Sequence, residues 1–125
     1  MDEDKLSELK ELPGIRELSV VVVDDNQPNL QLVKAQLAKF GIDASMFSNV
    51  DDALAHIKEA SRHIDVVLMD CEMPGVNGFE ATAMIRDWEQ TTHTGRTTIY
   101  ALAGHTDKEH ELQCFKAGMD GRLNK

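Results

Sequence analysis

Basic residues are in short supply. The chain has 13 Lys and Arg against 22 Asp and Glu, a formal net charge of −9 over 125 residues. A chain without a basic face has little to grip a phosphate backbone, which argues against nucleic acid as a direct partner and makes a cation the more natural ligand. Aromatic residues supply only 5% of the sequence, so a core has to be built from Val, Leu, Ile, Met and Ala. Apolar runs are short as well: those at 20–23 and 66–69 span four residues each, and none approaches the ~18 that a membrane span requires. No direct membrane contact is therefore expected. The opening residues MDEDK hold neither a basic region nor an apolar stretch, so no secretory leader is expected and the cytoplasm is the natural compartment. Only two cysteines occur, Cys71 and Cys114, far apart and without CxxC spacing. Reduced thiols are the expectation, since this spacing indicates neither a disulfide nor a zinc site.

What is present fits one globular domain: 42% hydrophobic and 28% charged residues are enough to bury a core and too ordered a mixture for a disordered tail. Strand-like and helix-like segments alternate. Residues 18–23 form a near-continuous β-branched run, the pattern of a strand buried on both faces. Pro28 suits a first helical turn, Leu30, Val33, Leu37 and Phe40 keep helical spacing, and Gly41 ends it. A second strand is expected over 42–47, then a helix capped by Ser48 with Asp51 and facing inward through Ala53, Leu54 and Ile57. Residues 64–69 read as the third strand and 78–89 as a helix with Phe79, Ala83, Ile85 and Trp88 inward. Residues 98–102 read as the fourth strand. The capping box Thr106-Asp-Lys-Glu109 opens a helix to about Ala117, and 122–124 is the last strand. Five alternations imply a doubly wound α/β fold with a parallel sheet. Ahead of it, residues 1–17 read as a linker or as a short helix in which Leu6, Leu9 and Leu12 recur, able to cover sheet surface that a helix after the last strand would have covered.

Ligands of open α/β sheets bind at the carboxyl ends of the strands. Asp24 and Asp25 end the first strand and Asp70 ends the third. If those strands are neighbours, three carboxylates converge and repel one another, a conflict that a hard cation removes. An oxygen-only site with few protein ligands suits Mg²⁺. A carboxylate beside Mg²⁺ can attack phosphorus and form an acyl phosphate, which makes Asp70 a candidate nucleophile. Lys125, ending another strand, is placed to hold a further phosphoryl oxygen. The five histidines show no metal-site spacing and are expected at the surface, with His105 alone near the mouth of the crevice.

The motifs VVVDDN at 21–26, LMDCEMPGVNGFEAT at 68–82 and GMDGRLNK at 118–125 resemble the receiver domains of two-component signalling, over 18–125. The continuation Glu80-Ala-Thr82 with Ile85-Arg86 is similar to receivers of hybrid sensor histidine kinases. The resemblance implies a flavodoxin-like five-stranded sheet of order 2-1-3-4-5, here without the usual C-terminal helix. It implies that Asp70 takes a phosphoryl group from a phosphohistidine on a histidine kinase or histidine phosphotransfer domain. Asp24 and Asp25 would bind Mg²⁺ with the backbone carbonyl of Glu72, and Lys125 would contact the phosphoryl group.

Three positions depart from the family pattern. Ala103 stands where a Thr or Ser hydroxyl usually meets the phosphoryl group, Arg122 where an aromatic switch residue usually stands, and Asn77 where Asp is commoner. Losing one hydrogen bond to a charged group weakens coupling by ~1.5–3 kcal/mol without removing nucleophile, metal or lysine. Phosphate acceptance with an atypical output follows, and the alternative is a pseudo-receiver that works as a phosphorylation-independent binding module. A small aspartate phosphatase fits less well, because Glu72 rather than a second aspartate follows two residues after Asp70. A flavodoxin is disfavoured because DDNQPN would repel a phosphate.

Overall fold

The computed structural model describes residues 19–60, 63–71, 73, 77–104 and 108–124. The expectations for residues 1–17, Glu72, His105, the capping residues at 106–107 and Lys125 lie outside them.

The elements alternate as β1 (Val20–Val23), α1 (Gln27–Lys39), β2 (Ala44–Phe47), α2 (Val50–Glu59), β3 (Val66–Asp70), α3 (Gly78–Thr92), β4 (Thr98–Ala103), α4 (Lys108–Ala117) and β5 (Gly121–Asn124). The strands form one parallel sheet in the order β2-β1-β3-β4-β5, the flavodoxin-like arrangement. Among the described residues β5 is the last element.

All residues of β1 and β3 are buried, as expected for central strands covered on both faces. Side chains alternate between two cores. Val21, Val23, Val67, Met69, Ile99 and Ala101 face α2, α3 and α4, meeting Ile57, Ile85 and Cys114. Val20, Val22, Val66 and Leu68 face α1 through Leu30, Val33 and Leu37, with Leu102 and Leu123 in the same cluster. This core has few aromatics because aliphatic side chains fill both layers.

Capping chemistry sets the helix starts. Asn26 accepts a hydrogen bond from the Asn29 amide at 3.0 Å, Asn49 from Asp52 at 2.8 Å and Asn77 from Glu80 at 2.9 Å. The cap of α2 is therefore Asn49, not Ser48: the side-chain amide also donates to Asp52, which a serine hydroxyl one residue earlier cannot reproduce. On α3 the buried face runs through Gly78, Ala81, Thr82, Ile85 and Glu89, so Ala83 points outward and Phe79 and Trp88 only flank the core. Glu89 in that face has no apolar signature, and its burial depends on partners elsewhere in the chain.

Those partners form a polar network at the edge of the sheet where the strands begin. Arg86 donates to the carbonyls of Gly118 (2.9 Å) and Thr97 (2.7 Å) and to the carboxylates of Glu89 (2.8 Å) and Asp120 (2.9 Å). Glu89 also accepts from the Thr97 amide, and Asp120 from the Ile99 amide and from Arg96. Burial raises the Asp120 carboxyl, but the Ile99 amide and the guanidinium groups of Arg96 and Arg86 outweigh it and hold the group below its ordinary range. An open hollow of about 870 Å³ beside this network, lined by Arg86, Arg96 and Gly118 among others, lies at the opposite edge of the sheet from the strand carboxyl ends.

Candidate phosphoacceptor site

Register brings the acidic residues together. Val23, the last residue of β1, pairs with Met69, so Asp24 emerges beside Asp70, the last residue of β3. One carboxylate oxygen from each of Asp24, Asp25 and Asp70 lies within 4.8 Å of the others. Asp24 and Asp70 are each 1% exposed, whereas Asp25 is exposed at the rim. Two almost fully buried carboxylates lie side by side with a third at the rim, an oxygen-only donor set that a small divalent cation with oxygen preference fits. Asp24 also forms the turn: its Oδ1 accepts from the Asn26 amide at 2.9 Å and its Oδ2 from Asn29 Nδ2 at 3.4 Å. Those bonds fix its orientation, so the turn-forming and ligand-holding roles of Asp24 coexist.

The end of β3 is held closely. The Cys71 amide donates to the Leu102 carbonyl at 3.3 Å, continuing the β3–β4 ladder one residue past Asp70. The first turn of α3 then folds back onto it. A Cβ on Gly78 would overlap the Asp70 carbonyl oxygen and touch Cys71 Cα, so only glycine lets the helix start this close to the acidic residue.

Ala103 is the last residue of β4, 2% exposed and paired with Asn124, and its methyl group offers no hydrogen-bond donor. Arg122 is directed toward α4, with its Nη2 3.6 Å from the Glu111 carboxylate. The structure thus brings Asp24, Asp25 and Asp70 together, and places Ala103 on the strand next to β3 and Arg122 in an ion pair with α4. Glu72 and Lys125 lie outside the described residues.

Sequence reasoning missed His110. It is 9% exposed rather than a surface residue, and it belongs to a cluster with Cys71 and Cys114. The signal was the four-residue spacing of His110 and Cys114, which places both on one helical face. Of the others, His56 packs on Phe47 with ring centroids 5.0 Å apart, and His63 and His93 are exposed.

Comparison with known proteins agrees with this geometry. Residues 20–125 match the model of the response regulator receiver domain. The chain is 36% identical over 107 residues to hybrid signal transduction histidine kinase L of Dictyostelium discoideum, covering 85% of this chain and 6% of that protein. It is 37% identical over 110 residues to the virulence sensor protein BvgS of Bordetella bronchiseptica, covering 86% of this chain and 9% of that one. The chain thus spans under a tenth of the length of these relatives. Among solved structures, the receiver domain of the histidine kinase CKI1 from Arabidopsis thaliana, complexed with Mg²⁺, superposes with a TM-score of 0.74 at 31% identity, covering 86% and 82% of the two chains. The chemotaxis protein CheY4 of Vibrio cholerae gives 0.75 at 29% identity, covering 86% of each. With matching sequence motifs, sheet order and acidic pocket, this chain belongs to the receiver domain family of two-component signalling.

Proposed function

We propose that the domain is a phosphoacceptor, and that Asp70 takes a phosphoryl group from a phosphohistidine of a histidine kinase or histidine phosphotransfer domain. The observation that carries this reading is the convergence of Asp24, Asp25 and Asp70 at the ends of adjacent strands, with Asp70 buried. A carboxylate oxygen of Asp70 forms the new bond to phosphorus as the phosphorus–nitrogen bond breaks, and the departing imidazole nitrogen keeps the electron pair and is protonated. Asp24, Asp25 and Asp70, with the Glu72 carbonyl, would hold Mg²⁺. Bound there, the ion neutralises charge that develops on the phosphoryl oxygens. Lys125 supplies a further positive contact in this reading. A hybrid signal transduction histidine kinase among the relatives makes a receiver within a phosphorelay the natural setting, and the Mg²⁺ complex of the CKI1 receiver supports the choice of ion.

The output side is atypical. Without a hydroxyl at Ala103, the phosphoryl group loses one hydrogen bond that would pull in the β4–α4 loop. With Arg122 paired to Glu111, there is no aromatic side chain to rotate inward at that position. The signal then leaves through the change of charge in the acidic pocket and the surface around it.

Intact mass after incubation with Mg²⁺ and acetyl phosphate tests the reading, with Asp70→Asn and a chelator as controls. One added phosphoryl group that disappears in both controls supports it. If neither acetyl phosphate nor phosphorylated histidine phosphotransfer domains label the protein, the domain is a binding module that works without phosphorylation.

A further inference from the structure

Among the described residues a second group of ligating side chains comes together, apart from the acidic pocket. Cys71 lies just past the end of β3, and His110 and Cys114 lie one turn apart on α4. One ligating atom from each falls within 4.8 Å of the other two, and the residues are 5%, 9% and 1% exposed. Cys114 Sγ stands 3.7 Å from His110 Nδ1. Two donors bound to one zinc ion, with Zn–S ≈ 2.3 Å and Zn–N ≈ 2.0–2.1 Å, stand ~3.6 Å apart at the tetrahedral angle and ~3.8 Å at the trigonal one, so this edge already has the length a shared ion requires. The Phe79 ring packs edge-on against His110 at 5.7 Å, limiting how far the imidazole can turn away.

We propose that Cys71, His110 and Cys114 form a soft-metal site for Zn²⁺, built into the contact between α4 and the end of β3. Zn²⁺ suits the site by charge: two thiolates balance the ion and a neutral imidazole adds none, so the assembled group is neutral in an apolar surrounding. Binding releases one proton from each thiol, and one coordination position stays open for water or a further donor. Mg²⁺ is excluded by its preference for oxygen, so the two sites discriminate by ligand softness although Asp70 and Cys71 are neighbours in sequence. Burial pushes the Cys114 thiol up, partly offset by its hydrogen bond with Cys71, so Zn²⁺ has to displace a held proton there and binding should strengthen as pH rises. A bound ion would tie α4 to the strand that carries Asp70.

The test uses the reduced full chain in excess Mg²⁺, titrated with Co²⁺ as a spectroscopic stand-in and then with Zn²⁺. One equivalent of Co²⁺ is expected to give thiolate-to-metal charge-transfer absorption in the near ultraviolet, which Zn²⁺ bleaches stoichiometrically. Cys71→Ser and Cys114→Ser should each weaken binding at least tenfold, and the double variant should abolish the band. A second readout needs no variant: Zn²⁺ should slow alkylation of the two thiols at least tenfold. The proposal is overturned if the band is absent, if it survives the double variant, or if Zn²⁺ leaves thiol alkylation unchanged. In those cases the three residues are a hydrogen-bonded piece of core.

Discussion

Gly78 lies against the main chain of Asp70 so closely that a single added carbon would overlap the Asp70 carbonyl oxygen. The start of α3 and the acidic end of β3 therefore occupy one rigid unit. Gly78→Ala is expected to cost about 1–3 kcal/mol through local overpacking. It should also slow acetyl phosphate labelling of Asp70, since the displaced backbone carries the nucleophile. Urea unfolding and intact mass read the two effects, and unchanged labelling in a folded variant would contradict the coupling.

Arg86 serves four acceptors on three segments. Removing it takes the paired guanidinium from the buried Glu89 carboxylate and one of the two guanidinium partners from Asp120, so Arg86→Met should destabilise by about 3–5 kcal/mol. Lysine cannot reproduce the planar fork, and Arg86→Lys should recover less than half of that loss in denaturant unfolding.

Asp120 contributes a defined acid dependence. Its folded carboxyl lies below its unfolded value of ~3.9, so its stabilisation is complete above that pH and fades as pH falls through the folded value. Asp120→Asn should lower the urea midpoint at pH 7 and flatten the decline below pH ~4 relative to the parent. Parallel acid limbs for the two proteins would refute this assignment.

Asn77 caps α3 by accepting from the Glu80 amide. Asn77→Asp keeps the acceptor and adds negative charge at a helix N-terminus, for a gain of about 0.3–1 kcal/mol at neutral pH and low salt. Asn77→Ala should cost ~1 kcal/mol. Thermal unfolding at two salt concentrations checks both, because only the aspartate effect should shrink in high salt.

Ala103 tests the atypical output. A hydroxyl introduced by Ala103→Ser at the end of β4 should strengthen binding of beryllofluoride with Mg²⁺ about tenfold or more, the equivalent of one hydrogen bond to a charged group. Competition binding measures it. An unchanged affinity would mean that the side chain of residue 103 does not reach the phosphoryl position.

Much of the fold is local enough to read directly. Valine runs declare buried strands, Pro28 and Gly41 bracket α1, and an aspartate at the end of an apolar run is visible wherever it occurs. Two of the corrections are of one kind. Ser48 against Asn49 and Ala83 against Ala81 differ by one or two positions, which is the resolution of periodicity before packing selects the face. The burial of Glu89 has no local signature, because the Thr97 amide that it accepts from stands outside its helix.

The sequence by itself determined the order of elements and put Asp24, Asp25 and Asp70 at strand ends, because alternation, caps and breakers act over a few residues. Only the tertiary structure decided that β1 lies beside β3, which makes three scattered carboxylates one pocket. It likewise decided that Arg86 meets Asp120 and that His110 and Cys114 meet Cys71. Such meetings depend on strand order and helix rotation, which are set by burial summed over the whole domain and carry no signature in any single segment.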